Sequence, residues 1–139
     1  MPGTMRVVHD ASSTSAVRCR LAADLRVQGI PADVVDDAAL LISELLGNAV
    51  RYGRPLRSGD LQVQWDNDAD HVLVAVSDGG GPSAVRPRQV GCDATSGRGL
   101  AIVDAIADDW GVRRDDVGCT VWARLQPITC DPVQLRRGA

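Results

Sequence analysis

The chain has 139 residues and a mass of 14.7 kDa, the size of one ordinary domain, and its 45% apolar residues supply a core worth burying. A charged fraction of 24% with a net charge of −3 excludes a disordered polyelectrolyte, and a pI near 5.2 leaves no broad basic surface for a phosphate backbone, so no direct nucleic-acid partner is expected. The longest apolar runs, Ala38 to Ile42 and Val72 to Val76, are far below the roughly 20 residues that span a bilayer, and Met1 to Asp10 has no apolar block followed by a small-residue cleavage site. A cytoplasmic protein with no membrane association is the expectation.

A short, extended lead opens the chain. The Ser12-Ser13-Thr14-Ser15 cluster then offers N-cap hydroxyls to a helix on which Val17, Leu21, Leu25 and Gln28 share a face, and Gly29 ends it. Pro31 and Asp33 open a second helix, where Val34, Ala38, Leu41, Ile42, Leu45, Ala49 and Tyr52 recur at intervals of three and four. After the break from Gly53 to Gly59, the alternation of Leu61, Val63 and Trp65 with Gln62 and Gln64 predicts a half-buried strand. The polar run Asp66 to Asp70 turns it into a second strand, His71 to Ser77, with Val72, Val74 and Val76 on one face.

From Gly79 to Gly97 no periodicity survives; a stretch of that length inside a small domain reads as a lid. Leu100, Val103, Ile106, Ala107 and Trp110 predict a third helix closed by Gly111. Two strands follow, Val112 to Arg114 and Cys119 to Leu125, joined through Asp115 to Gly118. The sum is one domain over residues 1–126, an α+β two-layer sandwich with a mostly antiparallel sheet and helices on one face, and a polar tail over residues 127–139.

Three constellations could carry chemistry. Glu44, Asn48 and Arg51 sit four and three residues apart on the second helix, so at ~100° per residue all three project within about 60° of one another, beside the apolar stripe. An amide oxygen can ligate Mg²⁺, a carboxylate can accept a proton and a guanidinium can pair phosphate; the bland alternative is a solvated face with a helical Glu–Arg pair. Second, Ser77-Asp78-Gly79-Gly80-Gly81 follows a strand directly. The glycines let backbone approach a ligand closely, and Asp78 can accept a hydrogen bond from an exocyclic amine. Third, Gly97-Arg98-Gly99-Leu100 opens the third helix, where free N–H groups favour an anion. All fifteen basic residues are Arg, and Glu44 is the single Glu beside seventeen Asp, which points to a chemical need for its longer reach. The four cysteines form no C-x-x-C pair and read as reduced packing residues.

Glu44-x-x-x-Asn48-Ala49, Asp78-x-Gly80, Gly97-x-Gly99-Leu100 and Gly118-Cys119-Thr120-Val121 occur in the order of the N, G1, G2 and final Thr-containing boxes of the GHKL (Bergerat) ATP-binding superfamily. Over about Ser15 to Leu125 the chain resembles that superfamily, and within it the bacterial anti-sigma factor serine kinases of the RsbW type. The resemblance implies an ATP lid between the second and third boxes, with Asn48 ligating Mg²⁺ and Glu44 acting as general base toward a substrate serine. It implies that Asp78 binds the adenine amino group with Thr120 supporting it through water, that Gly80 lets the base lie close, and that Gly97, Gly99 and Leu100 set amides beside the phosphates. With no Lys in the chain, phosphate charge falls to Mg²⁺, backbone amides and arginines, for which Arg51, Arg98, Arg86 and Arg88 are the candidates.

The function so implied is an ATP- and Mg²⁺-dependent serine kinase that phosphorylates an anti-anti-sigma (STAS-type) protein, sequesters an RNA polymerase sigma factor and forms a homodimer. The alternative is a non-catalytic module in which ATP orders the lid and selects a partner.

Overall fold

The computed structural model describes residues 2–68, 70–80, 101–116 and 118–126. Its elements run β1 (Gly3–Val8), a 3-10 turn (Ala11–Ser13), α1 (Thr14–Val27), α2 (Ala32–Tyr52), β2 (Asp60–Asn67), β3 (Val72–Asp78), a helical stretch at residues 101–106, β4 (Asp109–Arg114) and β5 (Cys119–Leu125). The strands form one sheet in the order β1-β2-β3-β5-β4, antiparallel at every pairing.

Period-two alternation divides the sheet into two unlike faces. Leu61, Val63 and Trp65 from β2, Val72, Val74 and Val76 from β3, and Val121, Ala123 and Leu125 from β5 all turn to one side and are buried. There they meet Val17, Leu21 and Leu25 of α1 and Leu41, Ile42 and Leu45 of α2 in a single core. Trp65 is the largest of these side chains, and its indole N–H donates to Asp24 Oδ2 on α1 at 3.1 Å, which satisfies the one polar atom that its burial strands. Gly3, opposite Trp65 in the register, has no side chain because a Cβ there would overlap the indole. The other face carries Gln62, Gln64, Leu73, Ala75, Thr120 and Trp122, and no described helix covers it.

The α1 terminator follows the sequence closely. Gly29 has φ +84°, Ile30 N–H donates to Leu25 O at 3.1 Å and Gly29 N–H to Arg26 O at 2.9 Å, the paired bonds of a Schellman motif, with Ile30 and Leu25 both in the core. Space around Gly29 is open, so Gly29→Ala isolates the backbone cost. It is expected to lower stability by about 1 kcal/mol in denaturant titration.

Two expectations change. The serine cluster does not cap α1: Asp10 accepts from Ser12 N–H at 3.0 Å to cap the 3-10 turn, and Ser13 Oγ instead donates to Val8 O at 3.1 Å. The third helix does not reach Gly111. Helical geometry ends at residue 106, and Trp110 and Gly111 belong to β4, paired with Ala123 and Trp122. Trp110 lies four residues after Ile106 and fits a helical stripe equally well, but β5 offers a full ladder of backbone partners, and pairing wins. The extended lead, as expected, takes β conformation, and it is a strand, β1, at the sheet edge. The lid from Gly81 onward, with Arg86 and Arg88, and the tail over residues 127–139 lie outside the described residues.

Candidate functional site

The second half of α2 delivers Glu44, Asn48 and Arg51, the crossing at Gly53–Pro55 follows, and the ends of β3 and β5 close the same corner. Arg54 N–H donates to Gly80 O at 3.0 Å and Gly79 N–H to Arg54 O at 2.6 Å, which ties the residues after α2 to the residues after β3. Close approach makes the glycines obligatory here. A Cβ on Gly53 would overlap the Asp78 carboxylate, one on Gly79 the Pro55 carbonyl, and one on Gly118 the Asp78 carbonyl. Gly80 sits at φ +81°, the left-handed region that side chains avoid.

Asp78 is 6% exposed. Its Oδ1 accepts from Gly80 N–H at 2.6 Å, while Oδ2 faces Gly53 and has no hydrogen-bond donor among the described residues. Burial pushes the carboxyl pKa up, opposed by the Gly80 N–H and by the neighbouring His9 and Arg114 side chains. An oriented, buried carboxylate with one free oxygen is the acceptor that an exocyclic amine requires.

Asn48 differs from the sequence expectation. It lies within the buried face of α2, 1% exposed, and not beside it. Neither its Oδ1 nor its Nδ2 has a hydrogen-bond partner among the described residues. A buried amide with both ends unsatisfied costs about 1–3 kcal/mol for each group; an amide oxygen is also a hard neutral donor of the kind Mg²⁺ accepts, so the residue fits a metal or phosphate ligand better than it fits a core. Asn48 precedes Gly53, the residue against the Asp78 carboxylate, by five residues, about 7.5 Å along the helix axis.

Glu44 is half-buried one turn before Asn48 and makes no ion pair or hydrogen bond among the described residues. The helical Glu–Arg pair is thus not formed. Arg51 is exposed; its guanidinium folds back over Gly47, 3.4 Å from where a Cβ there would sit, and its Cζ is 5.8 Å from the Tyr52 ring centroid.

Thr120 is not beside Asp78. It pairs with Ser77 in the register, and its Oγ1 is 2.7 Å from Ser77 Oγ on the uncovered face of the sheet. The residue opposite Asp78 is Cys119, buried on the same face, its thiol pKa pushed up by burial and by the Asp78 carboxylate. Counting alternation back from Leu125, Ala123 and Val121 would have found it. The open depression of about 690 Å³ on the uncovered face, lined in part by Leu73, Thr120, Trp122 and Arg124, is therefore on the other side of the sheet from Asp78. Gly97, Arg98, Gly99 and Leu100 lie outside the described residues. His9 was not anticipated at this corner; its Nε2 lies within 3.2 Å of two carbonyls at the end of α2.

With this geometry in hand, the likeness to known proteins has a physical reading. Among solved structures, the chain that holds the RsbU and RsbW domains of Rv1364c from Mycobacterium tuberculosis matches with a TM-score of 0.69 at 19% identity. The match covers 91% of the present chain and 32% of that one, so this chain spans about a third of that length, and at this identity the likeness is one of fold. No curated protein sequence matches significantly. No helix among the described residues is long and apolar enough to cross a membrane. The model of the histidine kinase-like ATPase domain matches residues 7–125, from the end of β1 to the last residue of β5. The chain belongs to the histidine kinase-like ATPase domain family, a family of ATP-binding domains.

Proposed function

We propose that the chain binds ATP with Mg²⁺ at the α2–β3 corner and acts as a protein-serine kinase of the anti-sigma type. In this reading it phosphorylates a STAS-type anti-anti-sigma protein in the cytoplasm, and it sequesters an RNA polymerase sigma factor as a homodimer. The observation that carries the reading is the buried amide of Asn48, without a partner among the described residues, one helical turn from a Glu44 that is likewise unpaired among them. A core would discard such an amide; a triphosphate site uses it.

Asn48 would hold Mg²⁺ through Oδ1, and the ion would offset phosphate charge that this chain has no Lys to meet. Asp78 would accept the adenine amino group at Oδ2, with Gly80 close beneath the base; Gly97, Gly99 and Leu100 would present amides to the phosphates, and Arg51 and Arg98 would add positive charge. Glu44 would take the proton of the substrate serine hydroxyl. That oxygen then bonds to the γ-phosphorus as its bond to the ADP oxygen breaks, giving phosphoserine and ADP. Such transfer rests on positioning and charge more than on covalent chemistry by the protein.

The test is incubation of the chain with labelled ATP, Mg²⁺ and a STAS-type protein. Label is expected on the STAS serine with wild type and at least 100-fold less with Glu44→Gln, while both bind ADP equally in calorimetric titration. Wild-type protein that binds ATP and transfers no phosphate would instead make the chain a nucleotide-responsive binding module.

A further inference from the structure

The Asp78 carboxylate is aimed by a neighbour that none of the nucleotide boxes contains. Its Oδ1 accepts from Gly80 N–H, and Oδ2 lies against Gly53, the residue that caps α2. A shift of Gly53 would open space beside Oδ2. Gly53 N–H donates to Ala49 O at 3.0 Å, an ordinary last-turn bond, and leaves its own carbonyl to be satisfied from elsewhere.

His9 does this. It follows the last residue of β1, and its Nε2 lies 3.1 Å from Ala49 O and 3.2 Å from Gly53 O. Both partners are carbonyls and can only accept, so Nε2 carries the proton and donates to the two at once. A single N–H, 40 and 44 residues away in sequence from its two acceptors, thereby bridges the last turn of α2 to the residue that backs the Asp78 carboxylate.

We infer that His9 is a positioning residue for base recognition: its Nε2–H locks the Ala49–Gly53 corner and thereby holds Asp78 Oδ2 in the direction of the 6-amino group of a bound adenine nucleotide. The inference rests on the reading of Asp78 given above and extends it to a side chain in β1's wake that touches neither nucleotide nor metal. Its consequence is specificity. Loosening the corner frees the carboxylate to turn and removes the advantage of a 6-amino group over a 6-oxo group, while the contacts to ribose and phosphates remain.

The experiment compares ADP with inosine diphosphate, which carries a carbonyl in place of the amine, by calorimetric titration of wild type, His9→Ala and His9→Gln in the presence of Mg²⁺. Wild type is expected to prefer ADP by at least tenfold, and His9→Ala to reduce that preference to threefold or less. His9→Gln, whose amide NH₂ can reach the same carbonyls, should restore it. If His9→Ala does not fold, His9→Asn, too short to bridge both carbonyls, takes its place with the same expected loss. Equal weakening of both nucleotides in the Ala or Asn variant, with the preference intact, would show a merely structural histidine and overturn the inference while leaving Asp78's role standing. Wild type that binds both nucleotides alike would overturn the role of Asp78 and this inference with it.

Discussion

Asp78→Ala is expected to weaken ADP binding by about 10- to 150-fold, the worth of a hydrogen bond to a charged group of about 1.5–3 kcal/mol, and to erase preference for a 6-amino base. The loss should be purely functional. Burial raises the Asp78 pKa in the folded state above its ordinary carboxylate value, so between the two the folded chain holds a proton that the unfolded chain has released. Stability is therefore full below the unfolded pKa and falls as pH rises through the folded one, leaving a charged, buried Asp78 as a net cost at neutral pH. The isosteric Asp78→Asn keeps an oxygen for Gly80 N–H and removes that charge. It is expected to melt at a higher temperature than wild type at pH 7, with the difference shrinking as pH approaches 4, and to bind ADP as poorly as the alanine variant.

Asn48 is expected to show the same opposition in a second measurement. Asn48→Leu keeps the branching at Cγ and replaces two unsatisfied polar atoms by methyl groups. Because each buried unpaired group costs about 1–3 kcal/mol, the variant should be more stable than wild type by at least about 1 kcal/mol in urea titration, while Mg²⁺-dependent binding of ATP falls at least 100-fold. A variant less stable than wild type by a similar amount would mean that Asn48 is partnered in solution and that its amide serves the core.

Sequence alternation located β2, β3 and β5 because Leu61, Val63 and Trp65, Val72, Val74 and Val76, and Val121, Ala123 and Leu125 each line one face, and the long stripe of α2 located its helix for the same reason. Those two facts already put Asp78 at a strand end and Asn48 on the neighbouring helix. What could not be read is how deep each residue sits. Asn48 falls at the margin of the stripe when angles are counted from the apolar residues alone, yet it is buried in the fold. Thr120 drew attention as a hydroxyl in a recognisable box, whereas the strict alternation of β5 assigns the place opposite Asp78 to Cys119. Trp110 was ambiguous between helix and strand because periods of 3.6 and 2 coincide over so few residues. His9 was beyond any local rule, since its partners lie 40 and 44 positions away.

The central claim is that the Asn48 amide and the Asp78 carboxylate serve one magnesium-bound adenine nucleotide. Calorimetric titration of wild-type protein with ADP, with and without Mg²⁺, tests it most directly: the account predicts one site per chain in the micromolar range, about −8 kcal/mol, and markedly weaker binding once the metal is chelated. No detectable binding at millimolar ADP with Mg²⁺ present would contradict it.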